Sequence, residues 1–305
     1  MKYNNDARLD TSEVSDTRGS GRSIGGRGAA AGGGLGVVGV VIYLVVTLIG
    51  GGGAGNTAAS VLDTLGTGGS SGQADNQEIE KSCRTGADAN NKLECAIVAD
   101  INSIQAYWSA ALGTRYTEVN TVWFSGQVTT GCGAADSGSG PFYCPRDQRV
   151  YIDLSFYDQL KQDFGATGGP FVNAYVLAHE YGHHVQDLLG TEAKVRTRSG
   201  PTSDSVRLEL QADCYAGVWA KHATEPAADG GPALISEITQ QDFNNALDAA
   251  GRIGDDYIQK NLGSGQVDRS SFTHGSSAQR EKWFTTGYRT GVPQRCDTFA
   301  ANDLG

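Results

Sequence analysis

The chain has 305 residues, enough for a large folded domain with a sizeable core. It carries 34 acidic against 24 basic residues, a net charge of -10 without any basic stripe, which excludes nucleic acid as a main partner. Its 43 glycines gather at 19–36 and 50–73 among Ser, Thr and Ala, the composition of flexible flanks rather than of a core.

Residues 1–28 read as a polar tail. Residues 29 to 56 hold no charge, and 35–49 (LGVVGVVIYLVVTLI) are almost continuously apolar. With its glycine flanks the run reaches about 20 residues, the length that spans a hydrocarbon core of about 30 Å. One transmembrane helix is therefore predicted, an anchor at 29–55. Arg18, Arg22 and Arg27 precede it and the first charge after it is Asp63, so the positive-inside rule puts the tail in the cytoplasm and the rest outside. The expected protein is single-pass in the cell membrane, with an extracellular or periplasmic body. A flexible linker at 56–76 leads to an ordered domain at 77–305. All six cysteines lie beyond the anchor, as disulfides in an exported domain would. Many connectivities are open to six cysteines; nearest-neighbour pairing would join Cys83 to Cys95 and Cys132 to Cys144, leaving Cys214 with Cys296.

Leu93, Ile97, Ile101, Ile104 and Trp108 recur at helical spacing, which predicts an amphipathic helix over about 89–113. TVWFSGQV (121–128) reads as a strand, followed by a Gly- and Ser-rich loop between Cys132 and Cys144. RVYIDLSFY (149–157) alternates Val150, Ile152, Leu154 and Phe156 with Tyr151, Asp153, Ser155 and Tyr157, the period of a half-buried strand. Helices are predicted over about 171–189, 204–222, 239–250 and 276–288, the last with Ser276 and Gln279 as a capping box. A few strands followed by a run of helices is the α+β pattern.

The chemistry gathers in AHEYGHHVQD, residues 178–187, which set Glu180 and three of the chain's five histidines into a helix that otherwise reads as buried. Val172, Val176, His179 and His183 share one stripe, Leu177, Tyr181, Val185 and Leu188 the opposite one, and Asn173, Glu180, His184 and Asp187 a polar edge. Histidines four residues apart on a helix aim both imidazoles at one point, where neutral imidazole ligates zinc. The glutamate beside them can take a proton from the attacking water and pass it to a leaving amine. His184 reads as a surface neighbour rather than a ligand.

A catalytic zinc takes three protein ligands, and the H-E-x-x-H-x-x-G-x-x-H pattern fails because Gln186 and Leu189 occupy its last two marked places. In RLELQADCYAGVWA (207–220), Val206, Glu209, Leu210, Asp213, Gly217 and Ala220 form one stripe. Two carboxylates on a buried stripe are costly unless a cation and an imidazole N–H pair them. Glu209 can complete the coordination of one zinc ion, and Asp213 can accept the outer N–H of a ligand histidine. Ala212, Ala216 and Gly217 are small enough to let this helix approach the first.

HEYGH, ELQADCYAGVWA, FTHGSSAQREKWFTTGY (272–288) and the late Cys296-Asp297-Thr298-Phe299 together resemble the bacterial neutral zinc metallopeptidase family, over about 77–299. The resemblance implies a gluzincin-like site with His179, His183 and Glu209 as zinc ligands, Glu180 as general base and Asp213 as the orienter of His179. It also implies a helix-rich α+β domain whose active-site helix packs beside a small sheet, and a peptide or protein substrate. His274, just ahead of the helix start at Ser276, is the candidate to stabilise the oxyanion, with Tyr215 and Tyr288 as fallback donors. By analogy with such sites, strand 149–157 is expected at the cleft edge, where its backbone would pair with substrate. The alternative is a catalytically idle, zinc-stabilised extracellular binding module.

Overall fold

The first residues of the chain are already part of the folded body. The computed structural model describes residues 1–18, 76–226 and 231–305. The predicted anchor at 29–55 and nearly all of the linker at 56–76 lie outside these residues. Among the described residues no helix is long and apolar enough to cross a membrane.

In chain order the elements are β1 (Lys2–Tyr3), β2 (Val14–Asp16), α1 (Gln77–Ser82), α2 (Gly86–Ala89), α3 (Leu93–Leu112), β3 (Asn120–Trp123), β4 (Gln127–Thr130), β5 (Gly133–Asp136), β6 (Phe142–Cys144) and β7 (Arg149–Ile152). There follow α4 (Phe156–Gln162), α5 (Pro170–Leu188), α6 (Asp204–His222), β8 (Ile235–Glu237), α7 (Gln240–Arg252), α8 (Asp255–Asn261) and α9 (Ser277–Thr290). This is the helix-rich α+β arrangement the sequence predicts. A four-stranded sheet runs β2-β3-β7-β6, parallel from β2 to β7 and antiparallel at β6. β1 pairs with β8, and β4 with β5 in a hairpin.

Two expectations are corrected here. Residues 1–18 are not a detached tail: β1 and β2 pair with the body, and Tyr3, Ala7 and Val14 are buried in it. Strand 149–157 is shorter and central. The alternation stops at Ile152 because the Asp153 carboxylate accepts the Ser155 N–H at 3.0 Å and turns the chain into α4. β7 is bonded on both sides, so it offers no free backbone; the outer strand near the helices is β6. Both faces of β7 are covered, since Val150 and Ile152 join the main core while Tyr151 packs with Val122, Phe124 and Phe142 on the other face.

The long helices form for the reasons their sequences give. Pro170 opens α5 at its first turn, Ser203 caps α6 by accepting the Val206 N–H, and Ser276 with Gln279 makes the predicted capping box on α9. Ala212 does face α5, where a Cβ on Gly182 would come within 3.0 Å of the Ala212 backbone. Gly217 instead faces α9: a Cβ there would fall 2.1 Å from the Phe284 carbonyl oxygen, and one on Gly287 would fall 1.9 Å from that of Cys214. α6 is thus clamped between α5 and α9 at near backbone contact. The disulfides are Cys83–Cys95, Cys132–Cys144 and Cys214–Cys296, the nearest-neighbour pairing. The last ties α6 to the C-terminal block, where Gln211 also donates to the Cys296 carbonyl at 2.8 Å and Thr298 to that of Arg207 at 2.6 Å.

The packing of the N-terminal segment has a pH signature. Glu13 lies against Asn102 of α3, and burial, its largest influence, pushes its pKa from 4.5 to about 7. Between those values the folded state keeps a proton that the unfolded chain has lost. This contribution is fully present below about pH 4.5 and disappears as pH rises through about 7. Glu13→Gln should therefore flatten the loss of stability over this range, by about 3 kcal/mol at most, in urea titrations at a series of pH values. Parallel profiles for the two proteins would show that Glu13 titrates normally.

Candidate metal centre

α5 is apolar on two faces and lies in the middle of the body, so its polar residues face partners rather than water. His179 and His183 stand one turn apart with ring centroids 4.8 Å apart and planes at 90°. On α6, Glu209 turns toward them: its Oε2 is 3.2 Å from His179 Nε2 and its Oε1 3.5 Å from His183 Nε2. These three side chains bring one ligand atom each within 4.8 Å of one another. His179 and Glu209 are buried while His183 is partly exposed, so the cluster opens on the His183 side.

The outward nitrogens are held as well. His179 Nδ1 lies 2.8 Å from Asp213 Oδ1, and His183 Nδ1 lies 2.8 Å from Gln186 Oε1. With Nδ1–H donating to each acceptor, a neutral ring would turn its Nε2 lone pair to the cluster. Gln186 is itself fixed, donating to the Leu208 carbonyl at 2.7 Å and to Gln211 Oε1 at 3.1 Å. The sequence marks Gln186 only as a break in the longer histidine motif, although it stands three residues after His183, the spacing at which helical side chains meet.

Asp213 accepts more than one bond. Tyr175 donates to its Oδ1 at 2.6 Å, and Arg280 from α9 donates to both oxygens at 2.9 Å. Arg280 is fully enclosed and also reaches the Ile253 carbonyl. Burial alone would raise the Asp213 pKa, but Arg280 and His179 outweigh it and bring it to about 2. Burial likewise opposes charge on Glu209, yet His183 and His274 hold its carboxyl well below the usual range. Burial disfavours a cation at His179, but Asp213 and Glu209 lift its pKa to about 10. The cluster therefore attracts positive charge.

Glu180 is buried beside this cluster, and burial raises its pKa. Its Oε2 accepts the Tyr143 backbone N–H at 3.0 Å, which fixes it against β6. Tyr143 is pinned a second time through its hydroxyl, 2.8 Å from Asp187 and 3.1 Å from His184. His184 is thus not on the surface. It is fully buried and bonds the Thr117 carbonyl at 2.7 Å, which makes it a brace between α5, β6 and the 113–119 connection.

His274 sits where the Thr273, His274 and Gly275 backbone N–H groups all converge on Asp255 Oδ2, at 2.8, 2.8 and 2.9 Å. Its Nδ1 faces Thr273 Oγ1 at 2.9 Å and Asp255 Oδ1 at 3.4 Å, and its charge acts on Glu209. Of the two fallback donors, Tyr215 packs edge-on against Trp108 in the core. Tyr288 lies over Phe243, and the structure brings neither tyrosine to the cluster.

Two imidazole nitrogens, each with its outer nitrogen bonded, and one carboxylate form the donor set of a catalytic zinc site and fit that ion. A family model described as "putative neutral zinc metallopeptidase" matches residues 1–299. An uncharacterised protein of Mycobacterium tuberculosis is 50% identical over 225 residues, covering 73% of this chain and 76% of its own. An uncharacterised protein of Escherichia coli, YpfJ, is 42% identical over 229 residues, with 73% and 76% covered. No solved structure matches the chain.

If Gln186 orients His183, then Gln186→Ala should weaken zinc binding by about 10–100-fold while the protein stays folded. Competition with a chromogenic chelator measures this, and unchanged affinity in a folded variant would show that His183 is oriented by other means.

Proposed function

Because the chain belongs to the neutral zinc metallopeptidase family, we propose that it hydrolyses peptide bonds at the His179, His183 and Glu209 centre, with Glu180 as general base. The observation that carries this reading is the convergence of two imidazole Nε2 atoms and one carboxylate within 4.8 Å, with Glu180 beside them.

His179, His183 and Glu209 would hold the ion, and Asp213 and Gln186 would keep the two imidazoles in the ligating tautomer. A zinc ion bound there supplies Lewis acidity to the scissile carbonyl and lowers the pKa of the attacking water. Glu180 takes the proton from that water and returns it to the leaving amine. Burial raises its pKa, which makes it a stronger base than a solvated carboxylate. His274, oriented through Nδ1 by Asp255 and Thr273, donates to the developing oxyanion. β6 is the outer strand beside Glu180, so it replaces β7 as the strand along which an extended peptide would lie.

Glu180→Gln should bind zinc one-to-one and lose peptide cleavage by about 10²–10⁴-fold. Equal, low cleavage by both proteins with full zinc would instead identify a binding module. His274→Ala should lower kcat by about 10²–10³-fold with little change in KM. Near-normal turnover by the folded variant would withdraw the oxyanion role.

A further inference from the structure

The groove that receives residues 1–18 is built to read an extended backbone. Three asparagines of the body each make a two-point contact with it. Asn90 accepts the Tyr3 N–H and donates to the Tyr3 carbonyl, both at 2.9 Å. Asn102 does the same for Asp10, at 2.8 and 2.9 Å. Asn76 accepts the Asp16 N–H at 3.0 Å and donates to the Val14 carbonyl at 2.6 Å. A side-chain amide presents a donor and an acceptor as a neighbouring strand does, so these contacts extend the pairing of β1 with β8 and of β2 with β3.

Side chains fix the register. Val14 is fully buried, and Tyr3 donates at 2.9 Å to Asp100, a carboxyl with no exposure to water. Gly86 marks where the segment crosses α2: a Cβ there would lie 1.9 Å from the Asn4 carbonyl oxygen. Without residues 1–18, the edge of β3 would be open and Asp100 would lose its hydrogen-bond donor. The family match also starts at residue 1.

We propose that residues 1–18 are a strap of the catalytic body, docked in this groove in the same compartment that the body occupies. β2 and β3 are bonded neighbours, so strap and body cannot lie on opposite sides of a hydrocarbon layer of about 30 Å. Three disulfides assign the body to an oxidising compartment, and the strap goes with it.

Lys2 and Glu237 are paired in the β1–β8 register with exposed side chains 2.8 Å apart, and the native cysteines are all bonded. The full chain carrying Lys2→Cys and Glu237→Cys, expressed in bacterial cells, should form an intramolecular Cys–Cys link, read by non-reducing peptide mass mapping. Each single variant should be labelled in intact cells by the same membrane-impermeant maleimide. Gly86→Ala should lower the linked fraction several-fold, and the milder Asn90→Ala should lower it without threatening the fold. Labelling of position 2 only after permeabilisation, with position 237 labelled in intact cells, would overturn the proposal. So would linkage unaffected by either groove variant, or linkage between two chains.

Discussion

A carboxylate taken out of water must be matched by donors and positive charge, and Asp213 is where this protein meets that requirement. It takes bonds from Tyr175, His179 and Arg280 while wholly buried. Removing one partner of such a set leaves a buried charge uncompensated, which costs several kcal/mol. The geometry around it is correspondingly tight. α5 brings Tyr175 and His179, α6 brings Asp213, and α9 brings Arg280, with glycine allowing α6 and α9 to touch backbone to backbone. The Cys214–Cys296 bond sits one residue beyond Asp213 and ties the same helix to the C-terminal block.

The two imidazoles are not equivalent. His179 is backed by an ionised carboxylate and His183 by a neutral amide, so His179 is the more electron-rich of the pair. Glu209 bridges them, and Glu180 is set apart by its bond to the β6 backbone rather than to either ring. This separation divides the labour. The groups that attract a cation are fixed by α6 and α9, while the group that would move a proton is fixed by the sheet.

Much of this was legible in the sequence where a strong periodic signal carried it. The helices at 204–222 and 276–288 follow from apolar spacing and caps, and Glu209 with Asp213 follows from the cost of two carboxylates on a buried stripe. Local pattern failed where a tertiary partner decides. Arg280 looks like an ordinary polar residue of its helix, since nothing in SAQREKW says that a carboxylate waits across the interface. Gln186 stands at contact spacing from His183, but nothing in HHVQD says that Leu208 and Gln211 hold its amide. His184 lies on the polar edge of α5 but is buried because Tyr143 and the Thr117 carbonyl cover that edge. The alternation in 149–157 continues past Ile152 on paper, whereas the Asp153 side chain ends the strand.

The N-terminal segment escaped for a related reason. It is polar and its strands are two and three residues long, so hydropathy reads a tail; its attachment is through backbone bonds to asparagine side chains, which hydropathy does not register. Its placement also bears on the site. By pairing with β3, β2 occupies the sheet edge opposite β6. The sheet's other outer strand is β6, whose Tyr143 N–H already holds Glu180. An unpaired edge invites any extended chain. On the proposed function, β6 is the edge along which an incoming peptide would lie beside Glu180 and the His179, His183 and Glu209 cluster.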